Sequence, residues 1–216
     1  MMLDLHDIDA GRRMAPQVAT HLDGGGLIAY PTETVYGLGS WPDDAGLDAL
    51  ARLKGRPPRK PFLLLVSSLQ MLEHTGLSLN ASARTLAREF WPGPLTLVLP
   101  GGEGRLPARL RGPEGGIAVR WTSHAALAAL IEGLGAPITS TSANKPGGPP
   151  APGVDRIATM FAEAIERQEL LVLDGGVLGN VPPSTLVDCT TSMPRLVREG
   201  AIPREELRRR AGRMAP

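Results

Sequence analysis

Four short segments concentrate the side chains able to bind or activate a polar substrate. They are Pro31-Thr32-Glu33-Thr34-Val35-Tyr36-Gly37-Leu38-Gly39, Lys54-Gly55-Arg56-Pro57, Ser140-Thr141-Ser142-Ala143-Asn144 and Ser184-Thr185-Leu186-Val187-Asp188. Each stands at the end of an apolar, strand-like stretch, where α/β proteins carry ligand-binding loops. In the first, Thr32 and Thr34 offer hydroxyls to a small polar molecule, and Gly37 and Gly39 let the backbone approach a ligand. A tight turn with hydroxyls satisfied by its own backbone explains the same residues. In the second, Lys54, Arg56, Arg59 and Lys60 place four cations within seven positions, separated by Gly and Pro. A solvated basic turn is the ordinary meaning of such a run. Proline-stiffened cations at a sheet edge also suit a polyanion such as a triphosphate. Neither a GxxxxGK[ST] nor a GxGxxG motif is present, so a nucleotide needs another cradle. The third stacks hydroxyls and an amide in a loop after a strand, facing either water or a polar ligand. In the fourth, Ser184 and Thr185 open a strand, while Arg198 ends the next and reaches over a sheet edge or lies as a rim charge.

The elements that must position these segments alternate along the chain. Apolar runs predict strands at 27–30, 62–66, 95–99, 117–121, 170–173, 185–189 and 195–198. Helical spacing predicts helices at 43–53, 80–90, from a Ser123 cap through Leu134, and at 154–167. Residues 137–139 lead into the serine-rich loop, and 101–116 and 145–153 read as Gly/Pro-rich loops. The last three strands have no helix between them, so that end of the sheet should be partly antiparallel. The expectation is an α/β fold: a single domain with a twisted, mixed parallel/antiparallel sheet flanked by helices. The domain is expected over 15–202, with an N-terminal segment at 1–14 and a basic tail at 203–216 whose composition suits a short helix.

Composition bounds the function. The chain has 216 residues, 42% hydrophobic and 21% charged, with a formal net charge of +1. Such a charge gives no general affinity for nucleic acid, so any basic site must be local. A single cysteine, Cys189, excludes an intrachain disulfide and reads as a small buried residue. Met1 to Met14 carries no secretory pattern, and no uncharged stretch approaches the roughly 20 residues of a membrane span. A cytoplasmic protein is expected. His6, His21, His74 and His124 share no ligand spacing and read as surface or capping residues.

The series PTETVYGLG, KGRP, GPLTLVL, GIAVR, STSAN, STLVD and VREGAI, across about residues 15–202, resembles the YrdC-like (TsaC-type) threonylcarbamoyl-AMP synthases in their single-domain form. The resemblance implies an open α/β sheet with a concave, basic cavity. It also implies an enzyme converting L-threonine, bicarbonate and ATP to threonylcarbamoyl-AMP and pyrophosphate. The activated group then passes, through partner proteins, to an adenosine of tRNA. Lys54 and Arg56 match the family's KxR pair and carry the catalytic role. Ser142 and Asn144 match its SxN pair, and Lys60 and Arg198 fall on the ATP side. Thr34, Ser140, Ser184 and Arg120 match threonine contacts, Arg120 against the carboxylate. Mg²⁺ is expected to come with ATP, because no acidic cluster shows metal-ligand spacing. Leu65 stands where longer members have a histidine, Lys60 where they have Asn or Asp, and Pro150 where they often have Ser. The alternative is an RNA-binding or ribosome-maturation protein using the same basic cavity. Weak RNA contact by Arg204, Arg208, Arg209, Arg210 and Arg213 is set against a solvated helix end, which Glu205 and Glu206 favour.

Overall fold

Strands of three to five residues, most of them apolar, build a sheet too short-stranded to stand alone and therefore packed by helices on both faces. The computed structural model describes residues 1–55, 61–102, 105–211 and 214–215. In chain order the first half comprises β1 (Met2–Asp4), α1 (Ile8–Asp23), β2 (Leu27–Tyr30), β3 (Gly37–Gly39), α2 (Asp44–Lys54), β4 (Leu63–Val66), α3 (Leu69–His74) and α4 (Ala81–Phe90). The second comprises β5 (Leu95–Leu99), β6 (Ile117–Trp121), α5 (Ala125–Leu134), β7 (Ile138–Ser142), α6 (Val154–Met160), α7 (Ala162–Glu166), β8 (Leu170–Asp174), β9 (Thr185–Asp188), β10 (Arg195–Arg198) and α8 (Arg204–Ala211).

Among the described residues these strands form one sheet in the order β1-β8-β2-β3-β7-β4-β6-β5-β9-β10. It is mixed: β2 and β8, β4 and β6, and β5 and β9 run parallel, while β7 is antiparallel to both β3 and β4. The α/β class and the mixed sheet match the sequence expectation. The placement of the last strands does not. β9 and β10 do form an antiparallel edge, but β8 lies near the other edge, parallel to β1 and β2. Its apolar run is buried throughout and needs neighbours on both sides, which a terminal hairpin would not supply.

Register separates the sheet into two faces. Thr139, Leu64, Val119, Leu97, Val187 and Leu196 are successive cross-strand partners. From Leu64 to Val187 this row is buried in a core shared with Leu47 and Leu50 of α2, Leu86 of α4, Ile157 of α6 and Leu207 of α8. Leu65 and Ile138, one position along, face the other way into a core built with α1 and α5.

α1 was not apparent in sequence, and residues 1–14, expected as a separate segment, supply β1 and the first turns of that helix. Asp7 caps it, its carboxylate accepting from the Ala10 amide at 2.6 Å. Gly11 sits where a Cβ would lie 2.2 Å from the Ala126 carbonyl, and Gly133 where one would lie 2.7 Å from the Ala15 Cβ, so α1 and α5 approach closely. α5 begins one residue later than expected: His124, not Ser123, is its cap, and Nδ1 accepts from the Leu127 amide at 3.3 Å. The helix expected over 154–167 is interrupted at Phe161. α8 forms within the expected basic tail and packs on α4, with Arg210 paired to Glu206 at 3.4 Å and 5.8 Å from the Phe90 ring centre. Arg213 lies outside the described residues. No described helix is long and apolar enough to cross a membrane.

Candidate active site

Lys54 is the last residue of α2, and the helix stops there because Gly55 adopts φ 57° and returns its N–H to Ala51 and Arg52. The Lys54 side chain is buried at 6% exposure. Its Nζ donates to the Ser142 carbonyl at 2.7 Å, the Asn144 carbonyl at 2.6 Å and Asn144 Oδ1 at 2.5 Å. Ser142 Oγ also donates to Asn144 Oδ1, at 2.8 Å, while Asn144 Nδ2 donates to the Gly148 carbonyl. One cation therefore organises the chain as it leaves β7, and three residues assigned to the nucleotide site meet there. Arg56 and Lys60 lie outside the described residues.

The serine-rich segment is not the expected loop. Ile138 to Ser142 is an internal strand, because both its neighbours offer antiparallel ladders. Its buried hydroxyls are satisfied: Thr139 exchanges hydrogen bonds with Ser40, and Ser140 contacts the Tyr30 hydroxyl, which itself donates to the Thr139 carbonyl. The glycines of the first segment have a matching correction. Gly37 and Gly39 lie in β3, where added Cβ atoms would meet Tyr30 at 2.8 Å and the Thr139 carbonyl at 2.3 Å. They admit a tyrosine ring and a neighbouring strand rather than a ligand.

Thr34 and Arg120, 86 positions apart in sequence, meet here. Arg120 is buried on β6, with Nη1 and Nη2 each donating to Thr34 Oγ1 at 3.1 Å. Thr32 gives its own proton to the Val35 carbonyl, so in the 3.0 Å contact between the two threonines Thr34 must donate. The lone pairs of Thr34 are thereby turned to Arg120. Glu33, to which the sequence reading gave no role, completes the group. Its Oε1 lies 2.8 Å from Arg120 Nη2 and accepts from Nε at 3.2 Å, while Oε2 accepts from Thr122 at 2.7 Å. Burial raises the Glu33 carboxyl, but the Arg120 charge and the hydrogen bonds from Thr122 and Arg120 outweigh it and hold the group below the usual range.

Ser184 and Arg198 form the third group. Arg198 Nη2 donates to the Ser184 carbonyl at 2.8 Å, and Ser184 Oγ lies 2.8 Å from Thr96 Oγ1. A bulge sets this up: Arg195 and Leu196 pair with Asp188 and Val187, but Arg198, not Val197, lies opposite Leu186. Burial lowers the Arg198 pKa, and the nearby Arg120 lowers it further, so the two guanidiniums share one electrostatic environment.

Cross-strand pairing puts these groups on one face. Ser140 pairs with Leu63, Leu65 with Arg120, and Leu186 with both Thr96 and Arg198. α1 and α5 cover the Ile138–Leu65 end of that face. Val98, Ala118 and Leu186 remain partly exposed at the other end, which is open. The expected buried cysteine is found: Cys189 follows β9, its thiol pushed up to about 12 by burial and then by the Asp188 charge. Asp4, His6 and Asp174 bring potential metal-ligand atoms within 4.8 Å of one another on the β1–β8 edge, away from the Arg120 groups.

The Sua5/YciO/YrdC family model, described as "Telomere recombination", matches residues 20–200. The chain belongs to this family. It is 40% identical over 177 residues to the threonylcarbamoyl-AMP synthase of Thiobacillus denitrificans, covering 82% of this chain and 91% of that one. It is 38% identical to the Pyrococcus abyssi protein of the same name, covering 87% of this chain but only 54% of the relative. The crystal structure of P. abyssi Sua5 complexed with L-threonine matches with a TM-score of 0.87 at 32% identity, over 99% of this chain and 62% of that one. E. coli YciO matches with a TM-score of 0.80 at 30% identity, over 93% and 95% of the respective chains.

Proposed function

We propose that this member of the Sua5/YciO/YrdC family is a threonylcarbamoyl-AMP synthase. It takes L-threonine, bicarbonate and ATP and forms threonylcarbamoyl-AMP and pyrophosphate. The observation that carries this reading is the convergence of Lys54, Ser142 and Asn144 beside a sheet face that also holds Ser140, Arg120 and Arg198. That combination offers cationic and hydroxyl partners to a polyphosphate and a guanidinium to an amino-acid carboxylate. Homologues bearing the synthase name, and a P. abyssi relative crystallised with L-threonine, support the same assignment.

The chemistry assigns each group a task. Arg120 takes the threonine carboxylate, with Thr34, Ser140 and Ser184 around the rest of the molecule. The amine must be neutral to react, and neighbouring cations favour loss of its proton. Its nitrogen bonds to the carbon of bicarbonate-derived carbon dioxide, giving a carbamate. A carbamate oxygen then attacks the α-phosphorus of ATP, the bond to the β-phosphate oxygen breaks, and pyrophosphate leaves. Such a transfer depends on positioning and charge stabilisation and needs no covalent nucleophile. Lys54, with Arg56 and Lys60, balances the charge that collects on the leaving group. Arg198 steadies the nucleotide, whose Mg²⁺ enters as part of the substrate. The product supplies threonylcarbamoyl transfer to tRNA by partner proteins.

The test is pyrophosphate release with L-threonine, bicarbonate and ATP, each omitted in turn. Release that requires all three is expected. Release without threonine, or tight RNA binding with no release, refutes the assignment.

A further inference from the structure

The Arg120 guanidinium is held on two sides. Nε donates to Glu33 Oε1, and Nη1 and Nη2 donate to Thr34 Oγ1. Glu33 is itself fixed, because Thr122 Oγ1 donates to Oε2 and the Ser123 amide to Oε1 at 3.2 Å. The side chains of Arg120 and Glu33 are only 5% and 15% exposed, so solvent screens the pair weakly. The pair is also electrically unequal to its surroundings. Arg198 shares the field of Arg120, and its own hydrogen bond goes to a neutral carbonyl. Two guanidiniums and one carboxylate leave about one unit of positive charge, which suits a ligand carrying one carboxylate.

We propose that Glu33 is a positioning residue that sets the plane of Arg120 for the carboxylate of the amino-acid substrate. This rests on the reading that Arg120 binds that carboxylate. Glu33 engages Nε and the near side of Nη2, and Thr34 the far side of Nη2 and one proton of Nη1, so the guanidinium cannot turn about its long axis and the remaining Nη1 proton keeps one direction. Without the Glu33 charge, Arg198 repels Arg120 unopposed and the guanidinium turns away. The effect is expected to fall on the amino acid first, because Glu33 accepts from Arg120, Thr122 and Ser123, whereas Lys54 on the nucleotide side donates to Ser142 and Asn144.

The experiment is calorimetric titration of L-threonine into the full-length protein, with KM values for threonine and ATP from pyrophosphate release. Glu33→Gln retains size and one acceptor for Ser123. Its threonine Kd and KM are expected to rise on the order of tenfold, with the ATP KM within about twofold. Thr122→Val, which leaves the charge but frees it to move, is expected to act in the same direction by less. In a cycle with Arg120→Lys, adding Glu33→Gln should weaken threonine binding little further, because both act through one guanidinium. An unchanged or tighter threonine Kd in Glu33→Gln overturns the proposal, as does an equal rise in both KM values or full additivity in the cycle. If Arg120→Lys leaves threonine binding intact, the carboxylate reading itself fails and the proposal falls with it. If Arg120→Lys weakens binding and Glu33→Gln does not, only the role of Glu33 is lost.

Discussion

Lys54→Met separates two tasks that one side chain performs. Methionine keeps the unbranched length but removes the donors that reach the Ser142 carbonyl, the Asn144 carbonyl and Asn144 Oδ1. A hydrogen bond from a charged donor contributes about 1.5–3 kcal/mol, so three give a gross loss well above 4 kcal/mol. Two effects reduce it. The buried ammonium no longer has to be desolvated, and Asn144 Oδ1 keeps the Ser142 hydroxyl as a donor. A net loss of about 3 kcal/mol is expected. A chain of 216 residues has an unfolding entropy near 0.45 kcal/mol/K, so Tm should fall by roughly 7 °C. The assay is thermal unfolding by circular dichroism, run beside pyrophosphate release well below the transition. Destabilisation with a raised ATP KM fits a lysine that both anchors the end of β7 and serves the nucleotide. A Tm within about 1 °C of the parent refutes the anchoring argument even if activity is lost, because the side chain would then act on the ligand alone.

Three further outcomes follow from the same structure. Gly39→Ala should lower stability by roughly 2–3 kcal/mol in urea titration, because its Cβ meets the Thr139 carbonyl at 2.3 Å and the Tyr30 ring at 2.9 Å. His124 is held below its ordinary pKa of 6.5 by burial, only partly offset by the Glu33 charge. Its neutral form is therefore favoured in the folded state, stability is full above that value, and it declines as pH falls towards the folded pKa. His124→Asn, which can still cap α5, should flatten the part of the stability–pH curve below about pH 6.5, measured by urea midpoints. Cys189, buried and with its thiol pushed up to about 12, should resist a thiol reagent at pH 8 until the protein is unfolded.

Seven of the ten described strands, and the candidate segments, were legible because each carries a local signal. Leu95–Leu99, between Pro94 and Pro100, and Ile117–Trp121, opening after Gly116, are largely apolar runs, and the structure places strands at both. α1 carries the opposite signals, Gly11 and Pro16, within 16 residues. Their local cost is outweighed by contact: Gly11 is required where α1 meets the Ala126 backbone, and Thr20 Oγ1 donates back to the Pro16 carbonyl. β7 was hidden for a related reason. Thr139 to Ser142 has the composition of a loop, and only pairing to β3 and β4, distant in sequence, makes a strand of it. Glu33 gave no sign in sequence because its meaning depends on Arg120 and Thr122, 87 and 89 positions away.

Two-residue periodicity explains why the site residues share a face, and one exception to it explains Arg198. Along β6, Val119 enters the core with Leu64 and Leu97, so Arg120 must point to the opposite, partly open side. The same alternation along β5 puts Thr96 on the side of Arg120 and Leu97 in the core. Regular pairing of β10 with β9 would set Val197 opposite Leu186 and carry Arg198 on to Thr185, whose side chain is buried and bonded to the Ile202 carbonyl. The extra residue at Val197, half-exposed, prevents this and brings Arg198 opposite Leu186. A bulge at a sheet edge re-aims one side chain without disturbing the strands behind it. Arg198 therefore reaches the Ser184 carbonyl and the field of Arg120 from the last strand of the sheet.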